Sequence, residues 1–288
     1  MSLSVVVICK NEAVNIRRCL ASVSWSDDVL VVDDFSTDGT GEIAASLGAR
    51  VVTHAFTSFA EQRNWALDQG GLRHEWVLML DADEEGTAEF FRDLTDRLAA
   101  ADDATAAFAV CRKTMLDGRW LKYSDGFPVW IMRVVRRGRA RFVDSGHGEV
   151  PVPPVEGQVQ RIREPIVHYP FSKGLADWLD RHNRYSSREA ALELEARVPI
   201  VWSALFGPDG AVRRRTLRNL ARRMPCRPLL RFAWQYFWKW GFLDGRAGLT
   251  FSRLMAMYEA MIVIKRRELE GGERRREESR KVAESKSR

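Results

Sequence analysis

The sequence predicts an α/β protein in which residues 1–100 form a largely parallel sheet with helices on both faces. Short β-branched runs alternate there with segments whose apolar residues recur at helical spacing. The runs have no polar interruption, as expected of strands buried on both faces. This alternation is typical of parallel sheets, whose ligands bind beyond the carboxyl ends of the strands. Polar residues after each run are therefore the first candidates for a site.

The elements of this region follow one another through short connections. Strands are predicted at residues 4–9, 29–32, 50–53 and 76–80, and helices at residues 16–23, 41–47, 60–69 and 87–99. Thr87 is suited to cap the last of these helices because its hydroxyl can accept a backbone N–H bond. The region thus contains four strand–helix units.

The pattern changes after residue 104. Strands predicted at residues 107–112, 128–135 and 166–169 are separated by irregular segments, which indicates a mixed extension of the same sheet. A long helical pattern covers residues 173–197, and the remainder to residue 267 is helical and rich in Arg and Trp. The charged tail is low in apolar residues and is predicted to be disordered.

Charge and cysteine content limit the class of protein. The chain has 288 residues and a formal net charge of +6, and residues 211–243 contain eight arginines, one lysine and no acidic residue. This excess indicates an anionic partner, which could be a membrane surface, a phosphorylated substrate or nucleic acid. The four cysteines form no CxxC pair, as expected of reduced thiols in the cytoplasm. No apolar run is long enough to predict a signal peptide or a membrane span.

Acidic residues follow two of the predicted strands. Asp33 and Asp34 end the second strand, and Asp81 and Asp83 follow the fourth strand with one alanine between them. Alternate side chains of an extended segment point the same way, so two carboxylates can converge on one hard cation. A lone Asp-x-Asp is more often an acidic turn. The second acidic strand end in the same sheet makes a metal and phosphate site the better interpretation.

Three segments resemble glycosyltransferase family 2 in residues and spacing. They are Val-Val-Val-Ile-Cys-Lys-Asn-Glu at 5–12, Val-Val-Asp-Asp-Phe-Ser-Thr-Asp-Gly-Thr at 31–40, and Leu-Asp-Ala-Asp-Glu at 80–84. The resemblance covers residues 2–98. Residues 147–150, 166–171 and 242–245 are similar to the bacterial branch near the lipopolysaccharide-core β-glucosyltransferases. Phe35 stands where the family usually has glycine, which affects the local turn.

The resemblance implies a GT-A fold, and together with the residue patterns it predicts a division of the chain. Residues 1–172 would be the GT-A catalytic domain, with a nucleotide-sugar-binding half at 1–100 and an acceptor half at 101–172. Residues 173–267 would be a helical extension that associates with membranes, and residues 268–288 the disordered tail.

The resemblance also implies roles on the donor side. Lys10 would lie against the nucleotide, and Asp33 or Asp34 would accept a hydrogen bond from the base. Asp81 would face the ribose, and Asp83 would bind Mn²⁺ or Mg²⁺ bridging the diphosphate.

Two further residues have structural alternatives. Arg63 matches an arginine that lies near the nucleotide in the family, although a solvated helix face is also open. His168 could complete the metal site, as could Asp81, or could touch the pyrophosphate. A structural histidine is the alternative.

The resemblance implies inversion at the anomeric carbon, which needs a general base for the acceptor hydroxyl. Glu149, in Gly-His-Gly-Glu-Val at 146–150, is the first candidate, and Asp144 is the alternative. The family carries a His-Glu or Glu-Asp type motif here, and Gly148 leaves the register open. A surface loop carboxylate is the non-catalytic interpretation of Glu149.

Residues 213–242, from Arg213 to Phe242, combine arginines with Trp, Tyr and Phe. Arginines attract anionic headgroups, and Trp and Tyr favour the boundary between water and hydrocarbon. We therefore expect peripheral association with the inner face of the cytoplasmic membrane. An aromatic core is the alternative. Nucleic acid is not expected as a partner because no nucleic-acid-binding module accompanies the arginines.

These features predict an inverting, metal-dependent transfer of a hexose from a nucleotide-sugar, expected to be a UDP-sugar. The acceptor would be a glycan or glycolipid, such as lipopolysaccharide core or another cell-surface polysaccharide. A polyprenyl-phosphate sugar synthase is the alternative enzyme, although that class often adds paired transmembrane helices. A nucleotidyltransferase would place a Gly-rich basic loop where Lys10 stands. A non-catalytic membrane-bound scaffold is disfavoured by the intact pair of Asp81 and Asp83.

Overall fold

The computed structural model describes residues 2–145, 148–151, 157–195, 209–221, 224 and 226–286. The chain forms two compact units, Met1–Leu175 and Ala176–Arg288. Each unit has its own architecture, and the first contains the acidic strand ends.

The described residues of the first unit form twelve strands and four helices. The strands are β1 Leu3–Cys9, β2 Val29–Asp33, β3 Arg50–Thr53, β4 Trp76–Asp81, β5 Glu84–Glu85, β6 Thr105–Leu116, β7 Arg119–Trp120, β8 Trp130–Arg136, β9 Phe142–Ser145, β10 Gly148–Pro151, β11 Gln158–Arg161 and β12 Ile166–His168. The helices are α1 Ile16–Ser22, α2 Thr40–Ser46, α3 Phe59–Gln69 and α4 Ala88–Ala99. The α/β fold class predicted from the strand–helix alternation is confirmed, and its mixed sheet agrees with the GT-A fold that the family resemblance implies.

The main sheet has ten strands in the order β3-β2-β1-β4-β8-β6-β12-β5, with β7 and β11 also on β6. The first four are parallel, β8 runs antiparallel to β4 and β6, and β9 and β10 form a separate hairpin. Cys9 pairs with Asp33 in register, and Ile8 pairs with Asp81. The carboxyl ends of three neighbouring strands therefore meet at one edge.

Strand β1 shows why this sheet needs helices on both faces. Every residue of β1 is buried. Val5 and Val7 belong to one apolar cluster, whereas Val6 and Ile8 belong to another. Alternate residues of a strand point to opposite faces, so the two clusters lie on opposite sides of the sheet. Each such side chain contributes about 1.5–3 kcal/mol on burial.

Side-chain caps set the start of two helices. The hydroxyl of Ser58 accepts the N–H of Glu61 at the start of α3, at 3.1 Å. Thr87 accepts the N–H of Phe90 at 3.2 Å, so it caps α4 as predicted. Such a cap stabilises a helix by ~1 kcal/mol.

The second unit is helical in the part of the chain that the structure describes. Its elements are α5 Gly174–Glu195, α6 Gly210–Ala221, α7 Arg227–Ala233, a π-helical turn at Trp234–Trp238, a 3-10 turn at Gly241–Asp244 and α8 Gly245–Lys286. Arg227 is buried and donates to both carboxylate oxygens of Glu193, at 2.8 and 2.7 Å, and to Glu259. This ion cluster joins α5, α7 and α8.

Helix α8 differs from the expectation of a disordered tail. It continues to Lys286 through the charged segment. Glu, Arg and Lys are strong helix formers, and oppositely charged side chains one turn apart support a helix, as Arg266 and Glu270 do at 3.6 Å.

Among the residues that the structure describes, one helical stretch, Gly241–Gly272, which joins the 3-10 turn to the first part of α8, is long and apolar enough to cross a membrane by length and composition, with a mean hydropathy of 1.3 in its most apolar window. The sequence expectation concerned an apolar run of that length without a charge, and Arg246, Arg253 and Glu259 interrupt this one. One side of α8 is buried through Phe251, Leu254 and Ile262.

Candidate functional site

The loops that follow β1 and β2 are joined by hydrogen bonds. Asn11 N–H donates to the Ser36 hydroxyl at 2.8 Å, and Thr37 N–H donates to the Asn11 side chain at 2.9 Å. Glu12 N–H donates to the Thr40 hydroxyl at 2.8 Å. Since β1 and β2 are neighbours in the sheet, their two loops form one wall of the strand-end site.

Asp33 and Asp34 have different environments although they are adjacent. Asp33 is only 4% exposed, and its carboxylate accepts the Ser36 N–H at 3.1 Å and the Ser36 hydroxyl. Asp34 accepts Lys10 Nζ at 2.6 Å and the N–H of Phe56 at 3.0 Å. Asp33 therefore holds the turn, while Asp34 and the exposed Lys10 form its outer surface.

Phe35 occupies a backbone conformation that favours glycine. Its φ is 50°, in the left-handed region, and its side chain is 60% exposed. This explains why a family with this turn uses glycine here. The exposed ring adds an apolar surface beside Asp34.

Asp81 is held by two arginines at the end of β4. Arg63 Nη2 donates to Asp81 Oδ1 at 2.7 Å, and Arg133 Nη2 donates to Oδ2 at 2.5 Å. Burial raises the pKa of Asp81, but the charges of Arg133, Arg63 and Arg112 outweigh it and hold that pKa well below its usual range. Arg63 is 1% exposed, so it lies inside the unit and not on a solvated helix face.

Two charged residues beside Asp81 were not singled out from the sequence. Arg133, 3% exposed on β8, bridges Asp81 and the fully buried Glu84, whose Oε1 it reaches at 2.8 Å. Glu84 also accepts the N–H of Asp81 at 3.0 Å. The sequence signal for Arg133 was a single arginine inside the apolar run of a predicted strand, since such a residue needs a buried anion.

Asp83 and His168 come together across the strands β5 and β12. Asp83 Oδ2 lies 3.5 Å from His168 Nε2, and the two side chains are 14% and 15% exposed. The N–H of Tyr169 donates to the Asp83 carbonyl at 2.9 Å, which fixes the two segments together. His168 Nδ1 is buried without a hydrogen-bond partner among the described residues.

These two side chains fit a divalent metal by their chemistry. A carboxylate and an imidazole suit Mn²⁺, which also takes oxygen ligands from phosphates and water. Both oxygens of Asp81 already accept guanidinium bonds. Within the described residues no group of three or more His, Cys, Asp or Glu could hold a metal ion. The protein would therefore supply Asp83 and His168, and the substrate would supply further ligands.

The segment after β12 is tied back to the wall of the site. Lys173 Nζ donates to Glu12 Oε1 at 2.6 Å and to the Asn11 carbonyl at 3.2 Å. Burial raises the pKa of Glu12, although bonds from Asn15 and Lys173 oppose this shift. The hydroxyl of Tyr169 donates to Glu85 at 3.0 Å. No local sequence pattern singled out Lys173.

The candidate bases lie on the β9–β10 hairpin. Asp144 on β9 pairs directly with Glu149 on β10. The side chains of both residues, and Gly146 and His147 entirely, lie outside the part of the chain that the structure describes. Their roles stay predictions.

An open cleft is lined by residues of α3 and by the first two residues of β9. Its volume is about 570 Å³. It is lined by Ser58, Ala60, Glu61, Asn64, Trp65, Asp68, Gln69, Phe142 and Val143.

Aromatic side chains are exposed at the surface of the second unit. Phe237, Trp238 and Trp240 are 60%, 71% and 59% exposed. The arginines predicted to face a membrane differ in their exposure to solvent. Arg213 is exposed, whereas Arg227 is buried in its ion cluster because Glu193 and Glu259 neutralise it. The side chains of Arg214, Arg215, Arg218, Arg222 and Arg223 lie outside the described part of the chain.

Comparison with known proteins gives one family. Residues 4–149 match the family model described as glycosyl transferase family 2. The lipopolysaccharide core biosynthesis glycosyltransferase LpsC of Rhizobium meliloti is 26% identical over 225 residues, which cover 76% of this chain and 82% of that protein. An uncharacterized glycosyltransferase of Rickettsia bellii is 42% identical over 88 residues, 30% of this chain and 29% of that protein. The structure of TarS 1–349 from S. aureus aligns with a TM-score of 0.46 at 15% identity, covering 96% of this chain and 92% of that one.

Proposed function

Because the chain belongs to glycosyl transferase family 2, we propose that it transfers a hexose from a UDP-sugar to a glycan or glycolipid acceptor, with inversion at the anomeric carbon. The observation that carries this proposal is the position of Asp34 after β2 and of Asp81 at the end of β4, the two strands that flank β1, together with the pair of Asp83 and His168. These positions offer a base acceptor, a fixed anion and a metal pair beyond the same edge of the sheet.

The positions of Asp34 and Asp81 support the roles that we propose for them in binding the nucleotide-sugar. Asp34, with Lys10 beside it, is the acceptor for the base N–H, because the carboxylate of Asp33 is committed to the Ser36 turn. Asp81, ionised between two guanidinium groups, faces the ribose and keeps Arg63 in place. An anion that is already ionised and oriented accepts a hydrogen bond from ribose without reorganisation.

Asp83 and His168 are the residues that would hold Mn²⁺ or Mg²⁺. The metal would act as a Lewis acid that neutralises charge on the departing nucleoside diphosphate. Tyr169 keeps the two ligands together through its N–H bond to the Asp83 carbonyl. Lys173 and Glu12 close the same side of the site.

The general base comes from the β9–β10 hairpin. Glu149 takes the proton of the acceptor hydroxyl as it attacks, and Asp144 is the second candidate. Their direct pairing across the hairpin means that both roles depend on where this hairpin stands relative to the donor. The acceptor half of the catalytic domain, residues 101–172, includes it.

We propose a lipid-linked acceptor of the lipopolysaccharide-core type at the inner face of the cytoplasmic membrane. The named relative LpsC, which acts in lipopolysaccharide core biosynthesis, supports the acceptor class. The exposed aromatic side chains of Phe237, Trp238 and Trp240 support peripheral contact with a bilayer, where such rings bind at the headgroup level. Residues 173–267 would form this membrane-associating part.

A screen of nucleotide-sugars tests the proposal. The wild-type protein is unfolded thermally with UDP-, GDP- and ADP-sugars, each with and without Mn²⁺, and nucleoside diphosphate release is then measured for any sugar that stabilises it. We expect one UDP-sugar to raise the unfolding temperature with Mn²⁺ and to release UDP, because a ligand of the folded state stabilises it. Stabilisation by none of them would overturn the proposal.

A further inference from the structure

We propose that Asn64 is a positioning residue that clamps the base-bearing β9–β10 hairpin onto α3, at a fixed distance from the donor aspartate. The proposal rests on the proposed function, because it assigns Asn64 a part in the same transfer. Asn64 lies on α3 directly after Arg63. These two consecutive residues contact opposite parts of the site.

Asn64 binds the hairpin through both ends of its amide. Its Nδ2 donates to the Phe142 carbonyl at 2.9 Å, and its Oδ1 accepts the Phe142 N–H at 3.1 Å. A side chain that satisfies both main-chain groups of one residue imitates a neighbouring strand, so it fixes β9 in position and orientation. Phe142 opens β9, two residues before Asp144.

The ring of Phe142 completes a continuous connection to the donor side. The guanidinium carbon of Arg63 lies 6.0 Å from the centre of this ring, within cation–π range. The same guanidinium donates to Asp81 at 2.7 Å. The donor aspartate, α3 and the hairpin are therefore linked through Arg63 and Asn64.

The amide bonds of Asn64 add direction to an apolar contact. The Phe142 ring is 3% exposed and packs in the apolar cluster that contains Ala60, Ala66 and Leu67 of α3, beside an open cleft of about 570 Å³. Apolar packing is not directional, whereas two hydrogen bonds to the main chain of one residue fix its position and orientation. Arg141 and Asp68, 2.7 Å apart, are half-exposed and contribute little. We therefore assign to Asn64 the placement of the β9 backbone, on which the proposed base depends.

The test compares Asn64→Ala and Asn64→Asp with Gln69→Ala. Gln69 lines the same cleft from the same helix but is exposed. The probes are UDP, Mn²⁺ and the UDP-sugar that the wild-type protein hydrolyses. For Asn64→Ala we expect kcat to fall by about 10- to 100-fold with the KM for the sugar and the affinity for UDP within twofold of wild type, because ~1 Å of displacement at a reacting group has this effect.

Hydrogen exchange provides a readout independent of turnover. In Asn64→Ala the amide of Phe142 should exchange faster, while the amides of β1 and β4 keep wild-type protection. Asn64→Asp keeps the acceptor of the Phe142 N–H, so its kcat should lie between those of Asn64→Ala and wild type. If Asn64→Ala does not fold, Asn64→Asp is the variant that tests the positioning role. Gln69→Ala should match wild type in every measurement.

Three outcomes would overturn the clamp. They are unchanged kcat in both Asn64 variants, unchanged exchange at Phe142, or a loss of UDP affinity equal to the loss of kcat. If the wild-type protein releases no UDP from any sugar, the proposed function fails instead, and the exchange measurement still decides whether Asn64 holds the hairpin.

Discussion

Arg63 Nη2 and Asp81 Oδ1 lie 2.7 Å apart and join the middle of α3 to the end of β4. Arg63 is 1% exposed, and the side chain of Asp81 is 25% exposed. The guanidinium of Arg63 is thus buried, whereas part of the Asp81 carboxylate is exposed. A carboxylate that a buried guanidinium keeps ionised and oriented is suited to accept a hydrogen bond from a ligand.

The Asp81→Asn substitution should lower the free energy of unfolding by about 3 kcal/mol at pH 7, because the buried Arg63 and Arg133 lose the charge of their shared carboxylate, although Arg133 keeps Glu84. The pKa of Asp81 is lowered in the folded state, so its contribution is present above the unfolded pKa of about 4 and decreases as the pH falls below it. Urea unfolding from pH 3 to pH 8 measures the difference between the two proteins.

That difference should be constant at neutral pH and become smaller below about pH 4. Asp96→Asn, on the exposed face of α4, is the control and should differ little from wild type at any pH. A difference between wild type and Asp81→Asn that stays the same down to pH 3 would contradict the assigned ion pair.

Asp33→Asn and Asp34→Asn should have opposite effects. Asp33→Asn should cost about 1–3 kcal/mol of stability, since one of the two oxygens that accept from Ser36 becomes an NH₂ donor, but should leave the UDP affinity of the folded protein within a few-fold. Asp34→Asn should keep its stability and lose about 10- to 100-fold in UDP affinity, because a bond to a charged acceptor is worth about 1.5–3 kcal/mol. Calorimetric titration with UDP and urea unfolding separate the two. The reverse result would move the base acceptor to Asp33.

The period of apolar residues was sufficient to predict β1 to β4 and the helices between them. Each of these elements is continuous in sequence, and the split of β1 between two apolar clusters shows that its alternate residues are buried on opposite faces. The same local pattern placed Asp33, Asp34, Asp81 and Asp83 at strand ends. It could not separate Asp33 from Asp34, because that depends on which carboxylate the Ser36 turn takes.

Residues that act across long stretches of chain were not predicted. Arg133 reaches Asp81 over 52 positions, and Lys173 reaches Glu12 over 161. Such pairs arise from the order of strands in the sheet, which a local pattern does not contain. The helical course of the charged segment of α8 was also missed, because composition alone does not distinguish a disordered tail from an exposed helix.

Asp83→Asn and His168→Ala should each remove the stabilisation that Mn²⁺ adds to the UDP complex. Both side chains supply ligand atoms that the substitutions delete or weaken, at a pair 3.5 Å apart. Thermal unfolding with UDP, with and without Mn²⁺, measures the effect, and the stabilisation by UDP alone should remain. Asp96→Asn should keep the full Mn²⁺ increment. If Mn²⁺ still adds its full stabilisation in both site variants, the assignment of the metal to Asp83 and His168 is wrong.

Replacing Phe237 and Trp238 together by serine should weaken vesicle binding by at least about tenfold, because each aromatic side chain transferred to the interface contributes ~1.5–3 kcal/mol. Flotation with phosphatidylcholine vesicles containing one-third phosphatidylglycerol measures binding at low and high salt. The residual binding of the double variant should depend more strongly on salt than that of wild type, since only the arginines then attract the surface. Trp25→Ser, on an aromatic that is 36% exposed in the first unit, should bind as wild type does. If vesicle binding falls equally in the double variant and in Trp25→Ser, exposed apolar side chains in general drive the binding. The aromatic surface of the second unit would then have no specific role.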